Sequence, residues 1–156
     1  MEAKKLLIFI FILGILPGCL NIGNAIEFSQ VTHIGAIPFM TKLNSSTSKN
    51  FDGVCIEPLL LNAENKHLEW TGVPVTFDIE IYTVKNDIKD KLVYKKDGII
   101  VNSMNDNSFE TSGIFTSFAD MDVPRGSSKF GMLIITAHLP DGRTLTGASG
   151  DIALFP

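Results

Sequence analysis

Few residues of this chain stand at spacings that could do chemistry, and the oxygen donors come first. Asn105, Asp106 and Asn107 follow one another, and Asp120 and Asp122 stand two apart near an expected strand end. Side-chain oxygens gathered on loops are what a hard cation such as calcium takes. Ser103 stands where a leading acid would be needed, and neither cluster has the glycine and terminal glutamate of an EF-hand loop. Solvated turns account for both clusters equally well. Ser46-Thr47-Ser48-Lys49 has the spacing at which a lysine can activate a serine, but it lies in a Ser-rich loop without a second motif. His33, His67 and His138 are far apart in sequence, so only the fold could assemble a nucleophile, a histidine and an acid. Cys55 has no CxxC partner, and within Val54-Cys55-Ile56 it reads as a small buried hydrophobe. These residues imply no catalysis, no cofactor and no resident metal beyond the calcium alternative.

Recognition of another molecule has more support. Trp70, Tyr82 and Tyr94 are the only Trp or Tyr residues, and the eleven Phe read as core. Trp70, at a strand edge, is expected between two sheets, with its indole used for packing. Tyr82 falls on the polar side of the best-defined strand and is the candidate for a surface contact. A net charge of −4, with no polybasic run, disfavours nucleic acid and anionic membrane surfaces as partners. A protein or a glycan is left as the partner class.

The first nineteen residues, MEAKKLLIFIFILGILPGC, bear on location. Lys4 and Lys5 form a positive start, and Leu6–Leu16 is an apolar run of signal-peptide length, short of the roughly 20 residues a spanning helix needs. Leu16-Pro17-Gly18-Cys19 resembles a prokaryotic lipobox, which implies lipid on Cys19, loss of residues 1–18 and attachment to the membrane through that lipid. Pro17 departs from the usual residue type at its position. Two alternatives stay open. Gly23-Asn24-Ala25 offers small residues for ordinary cleavage after Ala25, which would release a secreted protein; or Leu6–Ile26 stays uncleaved as an anchor, with Asn21 and Asn24 costly within the apolar layer.

The elements that must position any site read as strands. Val73, Val75, Phe77, Ile79 and Ile81 alternate with Thr76, Asp78, Glu80 and Tyr82, the pattern of an antiparallel strand with one wet face. His67–Trp70 reads as a short strand before it, with Thr71-Gly72 as a turn or bulge. Asp97-Gly98 reads as a hairpin turn between strands over 91–95 and 98–102. Residues 109–118 look extended, and 129–138 is the second strong strand. Pro140-Asp141-Gly142 predicts a tight reversal into a strand over 143–147, because proline presets φ and glycine takes the positive-φ position. A last strand is expected over 152–155. Leu59–Leu68 could hold one helical turn, and no segment after the leader shows sustained helical periodicity. Asn44 to Asn50 reads as a flexible loop, with Asn44-Ser45-Ser46 as a glycosylation sequon.

Seven to nine short strands in this length predict a single antiparallel, all-β sandwich, with a small barrel as the alternative. In pattern, the stretches 72–82 and 130–142 resemble immunoglobulin-like and fibronectin-type-III-like modules of prokaryotic surface proteins, including the G-x-hydrophobic strand that runs into P-D-G. Unlike antibody-type domains, the chain has no cysteine pair around Trp70. The expected organisation is a signal peptide over 1–18, a tether with its loop over 19–50 and the sandwich over 51–156. The expected function is a non-enzymatic, lipid-anchored extracytoplasmic module that binds or scaffolds. A calcium-stabilised adhesion module and a small secreted enzyme or inhibitor are the alternatives.

Overall fold

The computed structural model describes residues 26–42, 51–105 and 113–155. The chain forms a β-sandwich of two antiparallel sheets. One sheet has the order β1-β2-β5, from β1 (His33–Thr41), β2 (Gly53–Leu61) and β5 (Ile114–Ser117). The other has the order β4-β3-β6-β7, from β3 (Trp70–Lys85), β4 (Ile88–Met104), β6 (Phe130–His138) and β7 (Thr144–Ala153). Short 3-10 turns at Phe28–Gln30 and Phe118–Asp120 complete the described structure.

Alternation sets the core. Val75, Phe77, Ile79 and Ile81 of β3, with Leu133, Ile135 and Ala137 of β6, are buried against Val54, Ile56 and Leu60 of β2. Trp70 is 1% exposed and packs its ring 6.3 Å from that of Phe77, as expected of an inter-sheet residue. The central β2 breaks the alternation: all of residues 53–58 are buried, the signature of a strand covered on both sides.

Proline falls where the ladders can spare a donor. Pro38 lies on the edge strand β1, and Pro58 lies beyond the end of β5, whose pairing with β2 stops at Cα partners Ile56 and Ile114. Because of Pro38 and two glycine-and-alanine positions, residues 33–41 read poorly as a strand. They nonetheless pair along their whole length with β2, inside the stretch expected to be a tether.

Asp97-Gly98 is not a hairpin turn. Residues 88–104 form one strand, and the true reversal is Asn86-Asp87, whose φ values of 52° and 60° are those of a tight hairpin turn. Between the pairs Phe77–Ile99 and Ile79–Lys96, β4 carries one residue more than β3. Gly98, at φ 70°, absorbs that bulge and donates its N–H to Asp78 Oδ1 at 2.8 Å. Gly72, at φ 78°, sits in a second bulge of β3, as Thr71-Gly72 suggested. Leu59–Leu68 holds no helix: β2 runs on to Leu61, and Leu61 bridges to His67. The last strand is longer than expected, since β7 runs unbroken from Thr144 to Ala153.

Two contacts close the side where β1 meets β7. Gly147 lies so near β1 that a Cβ there would stand 2.1 Å from the Ile34 carbonyl oxygen. Arg143, entering β7, donates to the carbonyls of Val31, at 2.8 Å, and Phe28 while its guanidinium pairs with Asp141 at 2.8 Å. The N-terminal segment of the described chain is thereby held to the β6–β7 turn.

Candidate functional site

The outer face of the four-stranded sheet gathers the polar side chains that alternation predicts there. Strand register orders them in rows. Thr76 is flanked by Ile100 and His138, and His138 by Thr144. Asp78 faces Thr136, which faces Thr146, and the two threonine hydroxyls lie 3.0 Å apart. Glu80 lies between Lys95 and Ile134, and Tyr82 between Leu92 and Met132.

Two hydrogen-bonded groups hold this face. In the first, His138 Nε2 lies 2.7 Å from Asp78 Oδ2, while Asp78 Oδ1 takes the Gly98 N–H. The bond from His138, and then that from Gly98, holds the Asp78 carboxyl below the usual carboxylate range. The other ring nitrogen of His138 stands 3.4 Å from Thr144 Oγ1. In the second, the Tyr82 hydroxyl donates to Glu80 Oε2 at 2.7 Å, and Lys95 Nζ lies 3.2 Å from Glu80 Oε1 and 3.4 Å from Asp97 Oδ1. Donating to Glu80 raises the Tyr82 pKa, and accepting from Tyr82 and then Lys95 lowers that of Glu80. Lys89 Nζ stands 4.7 Å from the centre of the Tyr82 ring, a cation–π contact that covers one side of it.

The order hydroxyl, imidazole, carboxylate in Thr144, His138 and Asp78 is that of a hydrolytic triad. Here it lies on an open strand surface with His138 exposed and a long hydroxyl-to-imidazole separation. Electrostatic stabilisation of a reacting group needs preorganised donors in a water-excluded site, and this face offers solvent instead. Two clefts lie at its margins, about 390 Å³ beside Ile99–Ser103 and about 300 Å³ among Val84, Asp87, Phe130 and Asp151, and another of about 490 Å³ lies beside Lys66–Glu69.

The structure brings Tyr82 into the second group, on the face expected for it. It also joins His138 to Asp78 across 60 residues of sequence, a pair not anticipated from the spacing of the histidines. The available signal was phase: Asp78 occupies the polar positions of β3, and His138 ends the next strongest strand. His33 instead bonds Asn65 at 2.6 Å, and His67 Nε2 and Trp70 Nε1 are buried without a hydrogen-bond partner among the described residues.

Of the oxygen clusters, Asn105, Asp120 and Asp122 lie within the described residues. Asp120 closes the second 3-10 turn and is exposed, and the exposed Asp122 donates its N–H to the Val93 carbonyl. Asn105 follows the end of β4, while Asp106 and Asn107 lie outside the described residues. No group of three His, Cys, Asp or Glu among the described residues could hold a metal ion. Cys19, the Ser46-Thr47-Ser48-Lys49 motif and Asn44 also lie outside them. Cys55 is buried, and burial, reinforced by the nearby Glu57 charge, pushes its thiol up to about 11. No protein-family model, curated protein or solved structure matches the chain.

Proposed function

We propose that this chain is a non-enzymatic, extracytoplasmic binding module of the immunoglobulin-like kind, anchored by lipid on Cys19. It presents the outer face of the four-stranded sheet to an envelope protein or glycan. The observation that carries the binding reading is the pair of networks on that face, Asp78–His138 and Tyr82–Glu80–Lys95. Their hydrogen-bonding groups are held in place before any partner arrives, which lowers the ordering cost of association. An open face fits a macromolecular surface better than a small molecule, which needs a concave site. Anchoring is supported by Lys4, Lys5, the apolar run Leu6–Leu16 and the lipobox ending in Cys19. One acyl chain holds a protein to a membrane only marginally, so durable attachment needs the several chains that lipoprotein processing adds.

Intact mass of the chain recovered from native membranes, beside Cys19→Ala, tests the anchor. The expected result is a lipid-modified species beginning at Cys19, lost with membrane retention in the variant. A soluble species beginning at Ile26 would show release by ordinary cleavage. In-cell cross-linking tests the face: the double substitution His138→Ala and Tyr82→Ala should abolish capture of a partner without unfolding the domain.

A further inference from the structure

We infer that protonation of His138 switches the His138–Thr144 end of the wet face from accepting a hydrogen bond to donating one, so that what the face recognises depends on pH. The switch regulates the binding surface proposed above and rests on that reading for its use, though not for its chemistry. Its parts come from three neighbouring strands. His138 ends β6, Asp78 reaches it from β3, and Thr144 opens β7 beside it. His138 Nε2 lies 2.7 Å from Asp78 Oδ2, and Nδ1 lies 3.4 Å from Thr144 Oγ1. Asp78 is held from its other side, where Oδ1 takes the Gly98 N–H at 2.8 Å.

The carboxylate dictates which atom donates. The bonds that Asp78 receives hold its carboxyl below the usual carboxylate range, so above that range it is ionised and can only accept. Nε2 therefore carries a hydrogen in both states of the ring. In the neutral ring Nδ1 is then bare, and the Thr144 hydroxyl donates to it. A proton taken from water goes to Nδ1, which can now only donate. Thr144 Oγ1 becomes the acceptor, and its own hydrogen is released outward. His138 and Thr144 are both exposed, so the freed donor and the new positive charge face the surroundings. Histidine is the side chain whose charge changes between about pH 5 and 8. Around the ring stand Thr76 of β3, with Ile100 of β4 beyond it, and the Asp141–Arg143 pair of the β6–β7 turn. Lys95, bound to Glu80 and Asp97, adds its charge on the far side of Asp78. The protonated face therefore suits a partner oxygen that accepts at Thr144, whereas the neutral face suits a partner that donates there.

The test is a nuclear magnetic resonance titration of the isotope-labelled full chain in detergent, between about pH 8 and 5. At the alkaline end the His138 ring should show its hydrogen on Nε2 and none on Nδ1. As the pH falls, the Thr144 signals should move with the same midpoint as the ring. His138→Gln, which keeps a donor for Asp78 but does not titrate, should leave the Thr144 signals level and the fold unchanged. A ring with its hydrogen on Nδ1 at the alkaline end, or Thr144 signals that ignore the ring, overturns the inference. So does a Thr144 shift that survives in His138→Gln. In-cell cross-linking on cells suspended at either end of the same range then reads the consequence. Capture by the unaltered chain should change several-fold between the two, and capture by His138→Gln should not; level capture by the unaltered chain overturns the regulation. A chain that captures nothing at any pH yet shows the coupled titration supports the switch while the binding reading fails.

Discussion

The outer faces of the two sheets obey opposite rules. On the four-stranded sheet, Thr76, Asp78, Glu80 and Tyr82 stand half-buried, the last three in hydrogen bonds, above a row of fully buried residues. On the three-stranded sheet, Cys55 and Glu57 point away from the core, yet are only 1% and 4% exposed. Cys55 lies between Phe39 and Phe115, and Glu57 beside Ile37. A wet face repeats every second residue, whereas a strand covered on both sides loses that period. The difference marks a wet outer face on the first sheet and a central strand with both sides buried on the second.

The comparison breaks most sharply when a charge is placed on each face. Cys55→Asp should cost several kcal/mol in urea unfolding, because it places a carboxylate at a position only 1% exposed, near the Glu57 charge. Thr146→Asp, on the wet face, should stay within about 0.5 kcal/mol. Thiol chemistry sharpens the same contrast. With its pKa pushed up to about 11, from a reference of 9.0, the folded Cys55 of a Cys19→Ala chain should react with a thiol reagent at least about a hundredfold more slowly than after unfolding.

The wet face should show itself by acid titration. Folding lowers the Asp78 pKa, so its bonds to His138 and Gly98 add stability above the unfolded carboxylate value of ~3.9. That stability is lost as the pH falls through the lower folded value. For an exposed pair it should amount to less than about 1 kcal/mol, read as the difference in acid unfolding between the unaltered chain and Asp78→Asn. The smallest effect belongs to calcium: chelation should leave the melting temperature unchanged. A rise of several degrees on adding calcium would restore the loop oxygens around 105–107 and 120–122 as ligands.

Legibility in the sequence followed the same division. β3 and β6 were readable because one wet face imposes a strict period of two, and the Pro140-Asp141-Gly142 reversal because its residues dictate their own φ. β1 was not, because Pro38 and Gly35 erase the strand signal where an edge tolerates them. Asp97-Gly98 misled for a related reason: the positive φ that glycine supplies serves a bulge as well as a hairpin, and only the pairing register tells them apart. The face was visible in Tyr82, Glu80 and Asp78. The His138–Asp78 bond was not, since it depends on which strands become neighbours, and that is decided by the packing of both sheets.

Under the proposed lipid anchor, the hold of Arg143 on Phe28 and Val31 would also set which end of the molecule is up. If lipid sits on Cys19, the seven residues before Ile26 can reach about 25 Å at full extension, so the β6–β7 turn stays close to the bilayer. The Thr76–His138–Thr144 row lies beside that turn, and the Asn86-Asp87 tip stands about 30 Å farther along β3. On that reading the face has a vertical axis: a partner from outside the cell would meet Lys89 and Tyr82 first, and His138 would be left to something that lies near the membrane.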